Sequence, residues 1–448
     1  MLNIYRTIQT ERADSPDRTA LVQDERAVSY AQLFASVEQE TKRLYEEGVR
    51  AGDRVAFVGD DSIDYIITSL AILSINAVLV PVSKSLSIEE LENIKNILEV
   101  DHVIHENRIE KNSRKLSRSE IYKDAAFIRF SSGTTGTSKG VMLTHRAIIE
   151  RTDAADKGLR ITDNDVVIWV LSMCYHFVVT ILLFLRRGAS VVLCGTELPL
   201  SLVRAMSLHK ATFIYASPFH YNLMYASLDF TETMFAHVRM AVSTATALPE
   251  DIAAAFERKT GISISQAYGI IEVGLPFIND DPSGRIASVG RVLPDYEIRI
   301  VDTDDNKTGR VLLRGPGMFD AYCAPWRLRT DEWFDTGDIG YLDEEGYLFL
   351  VGRAKNVINF TGMKIFPYEV EEIINLYDGV DESLVYGIDH NVYGQIPAVK
   401  IVLSDPQHFD IKDFKRFCYV SLPAYKVPKE INIVDFLPKT QSGKLKRI

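Results

Sequence analysis

The sequence predicts an α/β fold, and three observations carry that expectation. Short β-branched runs alternate with amphipathic stretches through residues 1 to about 125, the pattern of parallel sheets covered by helices on both faces. At 448 residues the chain exceeds what one hydrophobic core usually serves, so two or more domains are expected. Beyond about residue 355 the pattern changes to a compact α+β one that opens on a strand from Asn356 to Asn359.

Taken in order, Ser29-Tyr-Ala-Gln-Leu33 opens an amphipathic helix that runs to about Gly48. Arg54 to Val58 reads as a short buried strand, Ile63 to Leu73 as a helix and Val78 to Val82 as a strand. Ser87 begins another helix with a capping box, Ser87 pairing with Glu90 three residues on, and the apolar positions continue to Leu98. Val103-Ile104 returns to the sheet, and the polar stretch from Glu106 to Lys123 reads as a surface connector. Val166 to Leu185 is twenty residues without a formal charge, long enough on paper to span a bilayer. Ser172, Cys174, Tyr175 and His176 interrupt it, so it reads as a strand to Leu171, a loop, and a helix from Val178 to Leu185. No membrane span is expected.

Composition excludes several classes of function. With 46% hydrophobic and 25% charged residues the chain has the make-up of a soluble globular protein. Its net charge of −11, with no basic run except Lys444-Leu-Lys-Arg447, argues against a nucleic-acid partner. Four scattered cysteines lack C-x-x-C spacing, which argues against a zinc site or a disulfide framework and fits a reducing cytoplasm. The first residues carry charges at Arg6, Glu11 and Arg12 and no apolar core, unlike a signal peptide.

The chemistry concentrates in Phe127-Ile-Arg-Phe-Ser-Ser-Gly-Thr-Thr-Gly-Thr-Ser-Lys-Gly-Val141. A β-prone run feeds eight positions, Ser131 to Ser138, that are only Ser, Thr or Gly. Lys139-Gly140 and a second apolar run follow, giving strand, loop, strand, after which Thr144 can cap a helix through Ile149. Gly133 and Gly136 let the backbone turn its N–H groups toward an anion, and the hydroxyls with Lys139 supply further donors, so a nucleotide triphosphate is the expected guest. A Walker A loop requires Gly-Lys-Ser/Thr entering a helix. Here Lys139 lies between Ser138 and Gly140, which excludes it.

This stretch resembles the signature of the adenylate-forming superfamily, which includes acyl- and aryl-CoA ligases, peptide-synthetase adenylation domains and firefly luciferase. That pattern runs aromatic, Ser/Thr, Ser/Thr, Gly, Ser/Thr, Thr, Gly, any residue, Pro/Ser, Lys, Gly, and every position is met. The resemblance implies that Ser132, Gly133, Thr134, Thr135, Gly136, Thr137 and Lys139 hold phosphates. Six further stretches that resemble the family follow in its order. Met173-Cys-Tyr-His176-Phe resembles the segment beside the family's carboxylate pocket, making His176 a gate or wall of the acyl site. The pocket walls are expected from Tyr175 to Thr180, Tyr215 to Phe219 and Val242 to Ala245. Peptide-synthetase domains place an Asp near His176 for the substrate's α-amino group. None occurs between Asp165 and Asp229, which disfavours an α-amino acid.

Val242-Ser-Thr-Ala-Thr-Ala-Leu-Pro249 resembles the adenine cradle, with Thr244 and Ala245, and Tyr268-Gly-Ile-Ile-Glu272 the family's Tyr-Gly-x-Thr-Glu. Tyr268 and Gly269 would then border adenine, and Thr134 and Glu272 would serve magnesium. Ile271 replaces the usual Thr, removing a hydroxyl contact to the α-phosphate worth roughly 1.5 to 3 kcal/mol. Trp333-Phe-Asp-Thr-Gly-Asp338 matches another signature, with Asp338 as acceptor for the ribose hydroxyls. Gly352-Arg353-Ala-Lys355 resembles the hinge between the family's large and small domains, with Arg353 on ribose or phosphate and Lys355 absorbing the dihedral change. Pro438-Lys-Thr-Gln-Ser-Gly-Lys444-Leu-Lys-Arg447 matches the terminal signature. Lys444 is its catalytic residue: one ammonium about 4 Å from an anion, at an effective dielectric near 20, is worth roughly 4 kcal/mol, about three decades in rate.

The resemblance therefore implies a large N-terminal AMP-binding domain, residues 1–352, of layered α/β subdomains plus a small β-rich subdomain. A small mobile α+β C-terminal domain, residues 353–448, would follow the hinge near Lys355. The implied activity is an AMP-forming acid:thiol ligase using ATP, Mg2+ and a pantetheine thiol from CoA or a separate carrier protein, acting on a small carboxylic acid. A free-standing adenylation enzyme that loads a carrier protein or forms an amide shares every signature. A non-catalytic nucleotide-binding module is the alternative of a different class. The acid itself is not legible.

Overall fold

The computed structural model describes residues 2–105, 108–112, 124–131, 139–323, 325–361, 363–391, 393–407, 409–439 and 445–447. The chain divides into two compact units, Met1–Glu297 with Arg314–Phe334, and Ile298–Leu313 with Asp335–Ile448.

The first unit is built on two sheets. One has nine strands in the order Arg291–Val292, Gly274–Ile278, Ile264–Ile270, Met240–Ser243, Phe213–Ala216, Val166–Trp169, Ser190–Leu193, Thr19–Gln23 and Arg26–Ser29. Its central strands pair in parallel and its edges antiparallel. The other has eight strands in the order Trp326–Leu328, Ala321–Cys323, Lys139–Thr144, Ala125–Ser131, Val78–Val82, Arg54–Val58, His102–His105 and Arg108–Lys111. The central strands are near-continuous apolar runs because both faces are covered; every residue of Arg54–Val58 and of Val78–Val82 is buried.

Local signals set most boundaries. Ser29 caps the helix Tyr30–Glu46 and Ser87 the helix Ile88–Ile97, each through a reciprocal capping box. Four expectations shift. The helix capped by Thr144 runs from His145 to Leu159, ten residues past Ile149. It carries a buried Arg151 that breaks the apolar periodicity. The strand from Val166 ends at Trp169, and helix begins at Met173, whose N–H donates to Asp61 at 2.8 Å, before passing through a π-turn at Phe177–Ile181. Within the expected connector, Arg108–Lys111 forms an edge strand, with Ile109 opposite Ile104 and its charged residues facing out; residues 113–123 lie outside those described. The strand expected at Asn356–Asn359 is Ile358–Phe360, preceded by a 3-10 turn at Ala354–Asn356 that contains Lys355.

The second unit holds a four-stranded sheet, Glu297–Val301, Gly309–Arg314, Phe334–Leu342 and Leu348–Arg353. It also holds a five-stranded sheet centred on Gly394–Leu403, packed by the helices Pro367–Ile374 and Ile411–Ser421 around a core that includes Ile358, Val370, Val399 and Phe414.

Candidate active site

In the first unit the expected phosphate segment is framed by a hairpin. Ala125–Ser131 and Lys139–Thr144 pair antiparallel, with Ser131 opposite Lys139, so the two ends of the loop are held one strand apart. Ser132, Gly133, Thr134, Thr135, Gly136 and Thr137 lie outside the described residues, and of Lys139 only the strand position is described.

The expected adenine residues come from the C-terminal ends of neighbouring strands, where parallel sheets gather their ligands. Thr244 follows Met240–Ser243, donates its N–H to Ala216 O at 3.0 Å and is buried. Ala245 takes φ +78°, a left-handed conformation uncommon for a residue with a Cβ. Tyr268 sits opposite Phe277 in the hairpin Ile264–Ile270 to Gly274–Ile278, the rings 5.9 Å apart. At Gly269 a Cβ would meet Gly274 O at 2.6 Å, so the two strands approach too closely there for any larger residue.

Glu272 occupies the turn of this hairpin. Its backbone carbonyl accepts from Phe319 N at 2.8 Å, and its Oε1 accepts from the Tyr322 hydroxyl at 3.2 Å. Burial and then the Glu272 charge push the Tyr322 phenol's pKa up, so it stays a neutral donor. Arg151, fully buried, bonds Ile271 O at 3.0 Å through Nη1 and Gly317 O at 2.8 Å through Nε, tying the turn to the helix His145–Leu159. Arg129 bonds Tyr175 O at 2.8 Å, immediately before the partly buried His176, and faces Glu272. Burial draws the Arg129 guanidinium's pKa down and Glu272 draws it up.

Of the expected pocket walls, Tyr215 lies beside Val242 in register and stacks on Trp169 with ring centroids 5.9 Å apart. Sequence reasoning missed Arg129, Arg151, Tyr322 and Trp169. The usable signal was a charge inside an apolar strand at Arg129; the rest gave none.

One carboxylate fits Mg2+, which keeps several waters and takes phosphate oxygens as its other ligands. Glu272 is such a carboxylate, with one oxygen held by a neutral phenol.

In the second unit, Asp338 and Arg353 are register partners on adjacent strands. Arg353 Nε lies 2.6 Å from Asp338 Oδ1, with the Asp338 side chain 8% and the Arg353 side chain 45% exposed. Thr336 Oγ1 receives Asp338 N at 3.0 Å and donates to Val311 O at 2.8 Å, which fixes the carboxylate's strand. Lys444 lies outside the described residues. Arg447 makes a two-pronged contact with the buried Glu371, at 2.7 and 2.5 Å, and bonds Val385 O.

Comparison with known proteins places this geometry. The chain matches the AMP-binding enzyme family over residues 8–123 and 118–323, and the AMP-binding enzyme C-terminal domain over 369–444. A long-chain-fatty-acid–CoA ligase of Yersinia pestis is 31% identical over 346 residues, 73% of this chain and 61% of that protein, so the chain spans under two thirds of that relative's length. A 2-succinylbenzoate–CoA ligase of Listeria monocytogenes is 27% identical across 97% of this chain and 96% of its own. The crystal structure of ATP-bound MatB from Rhodopseudomonas palustris superimposes with a TM-score of 0.88 at 24% identity, covering 99% of this chain and 97% of that one. No helix among the described residues is long and apolar enough to cross a membrane. With the family's pattern matched across well over half its length, this chain belongs to the AMP-binding enzyme family.

Proposed function

We propose that this chain is an AMP-forming acid–CoA ligase. A carboxylate oxygen attacks the α-phosphorus of ATP, the bond to the β-phosphate breaks and pyrophosphate leaves. The thiol sulfur then attacks the acyl carbon, AMP leaves and the thiol proton passes to solvent. The observation that carries this reading is the Glu272 turn, where an anionic carboxylate bonded by Tyr322 stands three residues after Gly269 on the hairpin that also bears Tyr268. Its support is the near full-length likeness to a protein named for CoA ligation.

In this reading Ser132 to Thr137 and Lys139 hold the phosphates, and Thr244, Ala245, Tyr268 and Gly269 hold adenine. Asp338 and Arg353 take the ribose. His176 borders the acid, and Lys444 brings its ammonium to the two anions as they meet, the main electrostatic work of the step. Thr134 and Glu272 would hold Mg2+, which would neutralise phosphate charge. The domain boundary is proposed at residues 352/353, with Lys355 as the pivot. Cys174, Cys194, Cys323 and Cys418 are all free thiols, in keeping with a cytoplasmic setting. The related ligases are named for long-chain fatty, 2-succinylbenzoic and oxalic acids and share only the CoA acceptor.

ATP–pyrophosphate exchange across fatty, aryl and short acids, followed by product analysis with CoA and with holo-carrier proteins, tests the proposal. Acid-dependent exchange and a CoA thioester are expected. Thioester formed only on a carrier protein would reassign the acceptor, and exchange at background with every acid would indicate a non-catalytic nucleotide-binding protein.

A further inference from the structure

We propose that Arg129 is a phosphate-binding residue, its guanidinium engaging the α-phosphate of the nucleotide next to Glu272; this rests on the nucleotide reading above. Its position is fixed by sheet register. Arg129 lies opposite Val141, and Val141 lies opposite Tyr322, so the three form one row across three strands. Directly opposed residues share a sheet face, and two strand spacings separate Arg129 from Tyr322 by about 10 Å. Tyr322 donates to Glu272, so this row runs beneath the Glu272 carboxylate.

The other buried arginines show what is unusual about Arg129. Arg54 is paired with Glu99 and Asp101, and Arg186 with Glu11 and Asp153. Arg151 directs Nε and both Nη atoms to the carbonyls of Ile271 and Gly317. Arg129 is only partly buried, and among the described residues it makes one hydrogen bond, to the Tyr175 carbonyl. A guanidinium carries five N–H donors in a fork that matches phosphate oxygens. Glu272, the anion it faces, is already bonded by Tyr322.

The chemistry of the hairpin identifies which anion fits. Between Tyr268, assigned to adenine, and Glu272, assigned to the metal, the chain runs Gly269-Ile270-Ile271 and offers no side-chain donor. The phosphate nearest the nucleoside lies between adenine and the metal, and Arg129 supplies the side-chain donors that this hairpin lacks. Its strand leads straight into the phosphate loop, with Ser132 three residues on.

Calorimetric titration with AMP and with adenosine isolates the phosphate term without knowledge of the acid. Arg129→Gln removes the charge but keeps an amide that can donate to Tyr175 O. It is expected to weaken AMP binding about tenfold or more, the scale of a hydrogen bond to a charged group, while adenosine binding stays within about twofold. An unchanged AMP-to-adenosine affinity ratio would overturn the assignment. Should Arg129→Gln lose adenosine as well, the ratio is read from Arg129→Lys, which keeps the charge but not the fork: a several-fold fall supports the assignment and a wild-type ratio overturns it. A wild-type protein that binds neither compound overturns the nucleotide reading together with this one, whereas wild-type binding with an unaltered variant overturns this one alone.

Discussion

Glu272 and Asp338 are both carboxylates beside an arginine on a β-hairpin, yet the two are held in opposite ways. Glu272 sits in a turn of the first unit, bonded by a neutral phenol, and Arg129 faces it while bonding a backbone carbonyl. Asp338 lies within a strand of the second unit, and its own arginine, Arg353, lies against it at 2.6 Å. A carboxylate bonded by a phenol keeps its full charge for a cation. One already paired with a guanidinium is suited to accepting neutral hydroxyls. The Arg353 end is 45% exposed while the Asp338 end is buried, so water screens the pair from one side only.

The largest expected effect tests the charge that comes from neither hairpin. Lys444→Ala should slow adenylate formation at least about a hundredfold while sparing thiol transfer from preformed acyl-AMP; rapid-quench assays of the two half-reactions check this, and equal loss in both removes Lys444 from its role. The comparison itself is broken or sharpened by matched neutral isosteres. Glu272→Gln should lower pyrophosphate exchange by about tenfold to a hundredfold and raise the Mg2+ concentration required. Asp338→Asn should raise KM for ATP by less than about tenfold, with exchange at saturating ATP nearly unchanged. If both variants show the same Mg2+ dependence, the division of labour drawn here is wrong.

The smallest effect on activity, one read in stability alone, concerns two buried groups kept neutral, unlike either carboxylate. His145 accepts from Ile4 N at 3.3 Å, and burial pushes its pKa down to about 4; His220, bonded to Ser217 Oγ at 2.8 Å, is likewise pushed to about 4 by burial. Between the ordinary histidine value of about 6.5 and 4 the unfolded chain binds more protons than the folded one. Stability is therefore fully present above pH 6.5 and is lost as pH falls through that window, by about 3 kcal/mol per histidine. Asp61, whose pKa desolvation pushes up to about 6, opposes this below pH 6, so the check is a difference: in urea titrations from pH 7 to pH 4, His145→Gln should lose less stability than wild type by about the share of one histidine.

Much of the fold was legible because its signals act over a few residues. Ser29 with Gln32 and Ser87 with Glu90 announce helix starts through bonds that span one turn. Arg54–Val58 and Val78–Val82 announce buried strands by composition alone. Charged residues misled twice: Arg151 hid the length of the helix His145–Leu159, and Arg108, Glu110 and Lys111 disguised an edge strand whose ladder is completed by the strand His102–His105.

By itself, the sequence determined where most strands and helices begin, a hairpin around the Ser/Thr/Gly stretch and which side chains are candidates for a nucleotide, since capping, periodicity and residue chemistry are properties of short stretches of chain. Only the tertiary structure decided that Arg129 joins Tyr175, that Tyr322 joins Glu272, and that Asp338 is already joined to Arg353. Those meetings depend on which strands are neighbours and in what register. That choice is made by burying whole sheet faces at once, and no local run of residues records it.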